Sequence, residues 1–277
     1  MKIPLYDTHM HTPLCRHATG MPEEYARVAA EKGFAGITFT CHCPLIDGRS
    51  RDVRMDISEL DRYQQMVAAA RSSYEGRVDV LLGLESDYYP GVEPWLEDLH
   101  TRAPFHYILG SVHPHIEEYI QAYFKGDPRE FQLVYFGHLA DAAETGLFDC
   151  ISHPDLVKNC YPQCWNPDQI LDHICRALDR IAKTGIAMEL NTSGLNKVIP
   201  EMNPGPLMLR QMRQRDIPVV IGSDSHVPER VGADFRLALD QLRQAGYSEV
   251  SYFIERKRRT VTIAELIAEL VSSGLDL

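Results

Sequence analysis

The chain has 277 residues, 44% of them hydrophobic, and a formal net charge of −11. That length supports one core hiding roughly three quarters of the unfolded surface, and single α/β barrels commonly run to ~250 residues, so one domain over 1–277 is expected. The acidic balance speaks against a general nucleic-acid binder, and no apolar run approaches the ~20 residues that span a bilayer. A small anionic substrate stays open, because metals and a few local cations can dominate the field in a pocket. With seven cysteines and a first strand starting almost at Met1, without a leader before it, reduced thiols in the cytoplasm are the expected state. Cys160 and Cys164 lack a second such pair and read as plain thiols.

Short β-branched runs alternate with longer amphipathic stretches, the pattern of βα units around a parallel sheet. Strands are expected near 3–8, 36–41, 78–85, 106–112, 149–152, 186–191 and 218–223. Helices are expected over 22–32, 56–74, 92–101, 128–145, 167–185, 206–215 and 234–245, several ended by Gly33, Gly76, Gly146, Gly185 or Gly246. The count is seven strands, not the eight of the common barrel. The tail carries a short strand at 250–254, a basic turn from Glu255 to Arg259, expected as a solvated loop, and a last helix from Thr262.

Ten candidate metal ligands punctuate these runs. Asp7, His9 and His11 follow the first, and His17 lies in the loop beyond. His42, Glu85, His113 and His153 follow later runs, and Asp224 and His226 follow the last. Ligands at the C-terminal ends of successive buried strands converge at one rim of a parallel barrel. His9 and His11 are two apart, so in a strand both rings face one side and can chelate one ion. Neutral imidazole suits divalent Zn, Mn or Fe. Asp7, on the same face, either binds directly or orients a ring. Glu85 would be an oddly buried acid without a cation partner, and its two oxygens can bridge two metals. Asp224 and His226 repeat the same-face spacing.

The segments DTHMHTPLCRHA at 7–18, FTCHCP at 39–44, GLESDY at 83–88, GSVH at 110–113, ISHPD at 151–155, NTSGL at 191–195 and GSDSH at 222–226 resemble the polymerase-and-histidinol-phosphatase (PHP) superfamily. Within it they are most similar to the monofunctional histidinol phosphatases. The resemblance implies a distorted (β/α)7 barrel of TIM-barrel type with a trinuclear centre of two to three divalent ions. One metal would take His9, His11, Glu85 and Asp224. A second would share Glu85 and add His113 and His153. A third would take His17, His42 and His226. One departure stands out: the family usually has Asp before the second-strand His, and here Cys41 precedes His42 and Cys43 follows it. In a strand both thiols face away from His42, so neither replaces it as a ligand.

The expected reaction is metal-assisted phosphomonoester hydrolysis, L-histidinol phosphate first, with Glu85, Asp224 and His226 at the catalytic centre. Arg16, Arg54, Lys158 and Lys197 are candidate phosphate contacts. Asp87 and Glu189 are candidates to face the cationic end of the substrate. Two other readings stand beside this one. A PHP phosphodiesterase or exonuclease would want an open groove with aromatic stacking platforms. A non-catalytic metal-binding module would hold metal without turnover. Oligomeric state is not encoded in any of these motifs.

Overall fold

A computed structural model describes residues 3–273. Seven strands lie parallel in chain order: β1 (Ile3–Met10), β2 (Phe34–Phe39), β3 (Asp79–Asp87), β4 (Tyr107–Ser111), β5 (Cys150–Ile151), β6 (Ala187–Asn191) and β7 (Val219–Gly222). The helices are α1 (Pro22–Glu31), α2 (Leu60–Ser73), α3 (Glu93–Leu99), α4 (Glu117–Tyr123), α5 (Pro128–Glu144), α6 (Leu171–Thr184), α7 (Pro206–Arg213) and α8 (Phe235–Ala245). The seven expected strands are all present. β1 runs further than expected, to Met10, so His9 lies within it. β5 is shorter, with only two paired residues. α4 was not expected: among its seven residues only Tyr119 is buried, too little for an apolar period to show.

The helices form for ordinary reasons. In α6, Ile174, Ala177, Leu178 and Ile181 are buried at helical spacing, and Gly185, at φ 71°, ends the helix in the left-handed region. Inside the barrel Tyr107, Leu109, Cys150, Ala187 and Val220 form a dry layer. Phe253 closes that layer from the N-terminal side, stacking on Tyr107 at 5.2 Å, while Tyr252 stacks on Tyr6 at 4.3 Å.

Both rings belong to an antiparallel hairpin of β8 (Glu249–Ile254) and β9 (Lys257–Thr262), followed by α9 (Ile263–Ser273). The expected basic loop is therefore corrected. Only Glu255 and Arg256 turn, both at positive φ, and the following basic residues are strand. Without Gly or Asn, this two-residue turn carries no sequence signal. Arg256 reaches back to Asp149 at 2.6 Å.

The barrel closes unevenly between β1 and β7. One backbone bridge joins Met10 and Ser225: His11 N donates to Ser225 O (2.9 Å) and Ser225 N to His9 O (3.1 Å). Below it, side chains join the strands. Thr8 Oγ1 donates to Ile221 O (3.0 Å), and Asp7 accepts from Ser223 N (3.0 Å), Ser223 Oγ (2.5 Å) and Gly232 N (2.8 Å). This seam brings the first and last metal-donor segments together at the C-terminal rim.

Candidate metal centre

At that rim nine imidazoles and carboxylates meet. His9 Nε2 lies 3.4 Å from Glu85 Oε2 and 3.6 Å from Asp224 Oδ1. His11 Nε2 lies 3.6 and 3.2 Å from the same two oxygens. Donors on one tetrahedral ion, bound at ~2.0–2.1 Å, sit roughly 3.4 Å apart, so these four groups have the spacing of one coordination set. The other oxygen of Glu85 serves a second set: Oε1 is 3.4 Å from His113 Nε2 and 3.1 Å from His153 Nε2. His17, His42 and His226 form a third, with donor atoms all within 4.8 Å of one another.

Side chains and carbonyls behind the rings fix which nitrogen faces inward. His17 Nδ1 is 2.7 Å from Cys15 O, and His226 Nδ1 is 3.0 Å from Asp224 O. A carbonyl only accepts, so each Nδ1 carries the proton and leaves the Nε2 lone pair for a metal. Carboxylates do the same elsewhere: His9 Nδ1 lies 2.7 Å from Glu189 Oε1, and His113 Nδ1 lies 3.2 Å from Asp87 Oδ2. Ser111 Oγ donates to Glu85 Oε1 (2.6 Å). Ser193 Oγ (2.9 Å) and Asn191 Nδ2 (3.3 Å) donate to Asp224 Oδ2, leaving Oδ1 for the imidazoles.

Six buried atoms of these residues have no hydrogen-bond partner: His11 Nδ1, His42 Nδ1 and the four assigned to metals, His9 Nε2, His11 Nε2, Glu85 Oε2 and His226 Nε2. Each such group costs about 1–3 kcal/mol if left so. Divalent cations satisfy all four at once, and the donor set of neutral imidazole and carboxylate is the right chemistry for Zn, Mn or Fe. The electrostatics agree. Burial pushes the Glu85 carboxyl up, but the imidazoles of His42 and His9 outweigh it and hold the group well below the usual range. Burial pushes the His42 imidazole down to about 3, against the pull of Glu85. Asp224 (φ 51°) and His153 (φ 23°) both sit in the left-handed region, a local strain concentrated at the site.

The candidate substrate residues fall into three groups. Arg54 and Lys197 line the cavity of about 150 Å³ above the donors, with Val53, His115, Ile116 and Leu156. Arg54 is buried and donates to Asp87 Oδ2 (2.8 Å) and Cys43 O (2.9 Å). Arg16 does not line the cavity; both its terminal nitrogens pair with Glu59 at the surface. Lys158 is turned inward and fully buried, donating to Met202 O (2.8 Å) and Asp155 Oδ2 (3.1 Å).

Three expectations therefore change. Asp7, the tenth candidate, touches no ring and instead staples β1 to the segment after β7. Glu189, expected to face substrate, is fully buried between His9 Nδ1 and the backbone N–H of His153 (2.9 Å). Asp87 is likewise committed to Arg54 and His113. Gly222 explains the reach of Glu189, because a Cβ there would overlap Glu189 Oε1. Cys41 and Cys43 point away from the metal donors, as expected: Cys41 Sγ accepts from Thr12 Oγ1 (3.2 Å) and Cys43 Sγ from Asp87 N (3.4 Å). Sequence reading missed Ser111, Asn191, Ser193 and His115. His115 repeats the two-residue spacing after His113, a signal that was there to use.

A parallel barrel carrying three such donor sets at its C-terminal rim defines a polynuclear metal centre of the hydrolase type. The family profile described as PHP domain matches residues 7–193, and the chain belongs to this family. A Deinococcus radiodurans protein named "Probable histidinol-phosphatase" is 37% identical over 254 residues, covering 90% of this chain and 96% of that one. The histidinol-phosphatase of Bacillus subtilis is 28% identical over 264 residues, covering 85% and 98%. Among solved structures, the histidinol phosphate phosphatase of Lactococcus lactis complexed with zinc, L-histidinol and phosphate superimposes with TM-score 0.78 at 19% identity, covering 92% of this chain and 98% of that one. Among the described residues, no helix is long and apolar enough to cross a membrane.

Proposed function

We propose that this chain is a metal-dependent phosphomonoesterase that hydrolyses L-histidinol phosphate to L-histidinol and phosphate. The observation that carries the reading is the division of Glu85, whose Oε2 faces His9, His11 and His42 and whose Oε1 faces His113 and His153, beneath one small cavity. His9, His11, Glu85 and Asp224 would hold one ion, Glu85, His113 and His153 a second, and His17, His42 and His226 a third. Zinc, iron or manganese bound there supplies activation of water and neutralisation of charge on the phosphoryl oxygens. The names of the Deinococcus and Bacillus relatives, and the ligands of the Lactococcus enzyme, support the substrate.

The protein's own part is positioning. Glu85 and Asp224 are presented as anions by the groups behind them, and Ser111, Ser193 and Asn191 fix which oxygen points inward. Lys197 and Arg54 line the cavity; in this reading Lys197 would meet a phosphate oxygen and Arg54 would add charge from the wall. Val53, Ile116 and Leu156 give an apolar wall suited to the flat body of an imidazole ring. Among the described residues that line the cavity there is no Phe, Tyr or Trp, the rings on which successive bases would stack. A place in histidine biosynthesis in the cytoplasm is part of this reading, and seven unpaired cysteines support it.

The test is turnover by metal-loaded protein on L-histidinol phosphate, nucleoside monophosphates and a phosphodiester in parallel. The expected order puts L-histidinol phosphate first by kcat/KM. A faster diester reaction would overturn the reading in favour of a nuclease. Bound metal without turnover of any of them would mark a binding module.

A further inference from the structure

We infer that Lys158 is a positioning residue: together with Asp155 it latches the loop that carries Lys197 into the cavity. The inference rests on the reading of Lys197 as a phosphate contact. The 3-10 turn Leu156–Asn159 begins three residues after His153, and the side chains of Asp155, Lys158 and Asn159 reach across to one stretch of the loop after β6. Asn159 Oδ1 accepts from Ile199 N (3.0 Å). Lys158 Nζ donates to Met202 O (2.8 Å). Asp155 accepts from Asn203 Nδ2 on one oxygen (2.5 Å) and from Gly205 N on the other (2.8 Å). The base of the loop is closed by a backbone pair, Asn191 N to Asn203 O (2.7 Å) and Asn203 N to Asn191 O (3.0 Å).

All four anchors lie just beyond Lys197, whose side chain lines the cavity and, among the described residues, makes no hydrogen bond or ion pair. A flexible four-carbon cation is only useful at a fixed place if its backbone is held. The cost of the arrangement shows that it is not incidental. A fully buried ammonium is expensive unless every proton is used, and Lys158 is 0% exposed, with Asp155 beside it at 1%. Replacing such a pair by apolar groups is often neutral or stabilising for a fold, which leaves the holding of the loop as its contribution. One short segment, 153–159, thus carries His153 at the donor cluster and holds the loop that bears Lys197.

The experiment is a double-mutant cycle on inorganic phosphate, measured with metal-loaded protein both as a product inhibitor and by calorimetric binding. Lys197→Ala is expected to weaken phosphate by roughly tenfold, the loss of one charge-assisted hydrogen bond. Lys158→Met is expected to weaken it several-fold, with bound metal unchanged. The double variant should be no weaker than Lys197→Ala alone, because the latch acts through that lysine. Asn203→Ala, which keeps the Lys158–Asp155 pair, should reproduce the effect if Lys158→Met does not fold. Independent, additive losses, or wild-type phosphate affinity in both latch variants, would overturn the inference while leaving Lys197 as a contact. Wild-type affinity in Lys197→Ala would overturn both.

Discussion

Glu189 Oε1 lies 2.7 Å from His9 Nδ1, and both side chains are fully buried. The contact joins the sixth strand to the first across the barrel and decides the tautomer of a metal-facing ring. Burial pushes the His9 imidazole down, but Glu189, Asp224 and Glu85 together hold it well above its usual range. A cation entering the site must displace that proton, and Glu189 then keeps Nδ1–H while Nε2 binds.

Glu189→Gln is therefore expected to reduce metal affinity about 10- to 100-fold, with the fold retained. Gly222→Ala should act in the same direction, by pushing the Glu189 carboxylate off the ring. Bound metal after dialysis against a graded chelator series reads both effects. Wild-type retention in both variants would show that the ring needs no orienting partner.

Glu85 contacts the first and the second imidazole sets and also His42 of the third (2.9 Å), and Asp224 Oδ1 contacts the first. Glu85→Gln and Asp224→Asn are each expected to abolish turnover while leaving far-UV circular dichroism near wild type. Glu85→Gln should lose metal from two sites, and Asp224→Asn from one. Metal analysis separates them, and near-normal kcat in either replete variant would refute the ligand assignment.

The barrel and the donors were legible because each rests on a local period. Apolar β-branched runs gave the seven strands, and the two-residue spacing put His9 and His11 on one face, whereas Asp224 and His226 share that spacing but lie beyond β7, with Asp224 at φ 51°. What lies behind the donors was not legible, because it depends on which strand ends face each other. Asp7 shares the face of His9 by alternation, yet the β1–β7 seam turns its oxygens to Ser223 and Gly232. Glu189 looked like a substrate acid at a strand end; only the absence of a Cβ at Gly222 lets it reach His9. Lys158 stood close after His153 in sequence, but it lies inside the 3-10 turn Leu156–Asn159 and donates to Met202 O instead.

Asp7 supplies a contrasting test. Its carboxyl is pushed up by burial, against which the Ser223 and Gly232 donors act. Asp7→Ala would leave those buried donors unpaired, at about 1–3 kcal/mol each. A drop in thermal midpoint of the metal-free protein is expected, a loss that a pure metal ligand would not cause. An unchanged midpoint with lost metal would make Asp7 a ligand after all.

The metal-free protein should also lose stability as pH rises. Burial pushes His11 down, but Asp224, Cys15 and Glu85 outweigh it and raise the ring to about 9. Burial likewise opposes His113, where Asp87 and Glu85 raise the ring to about 10. Both lie above the ~6.5 of an unfolded histidine. A group bound more tightly to its proton in the folded state stabilises fully below its unfolded value, and that contribution fades as pH climbs through the folded one. The midpoint measured in chelator should therefore fall between pH 6.5 and 10. Bound metal replaces those protons, so the metal-loaded protein should not show the fall, and its metal affinity should strengthen over the same window. A chelated protein whose midpoint stays level or rises from pH 6.5 to 10 would mean that these imidazoles stand neutral before the metals arrive.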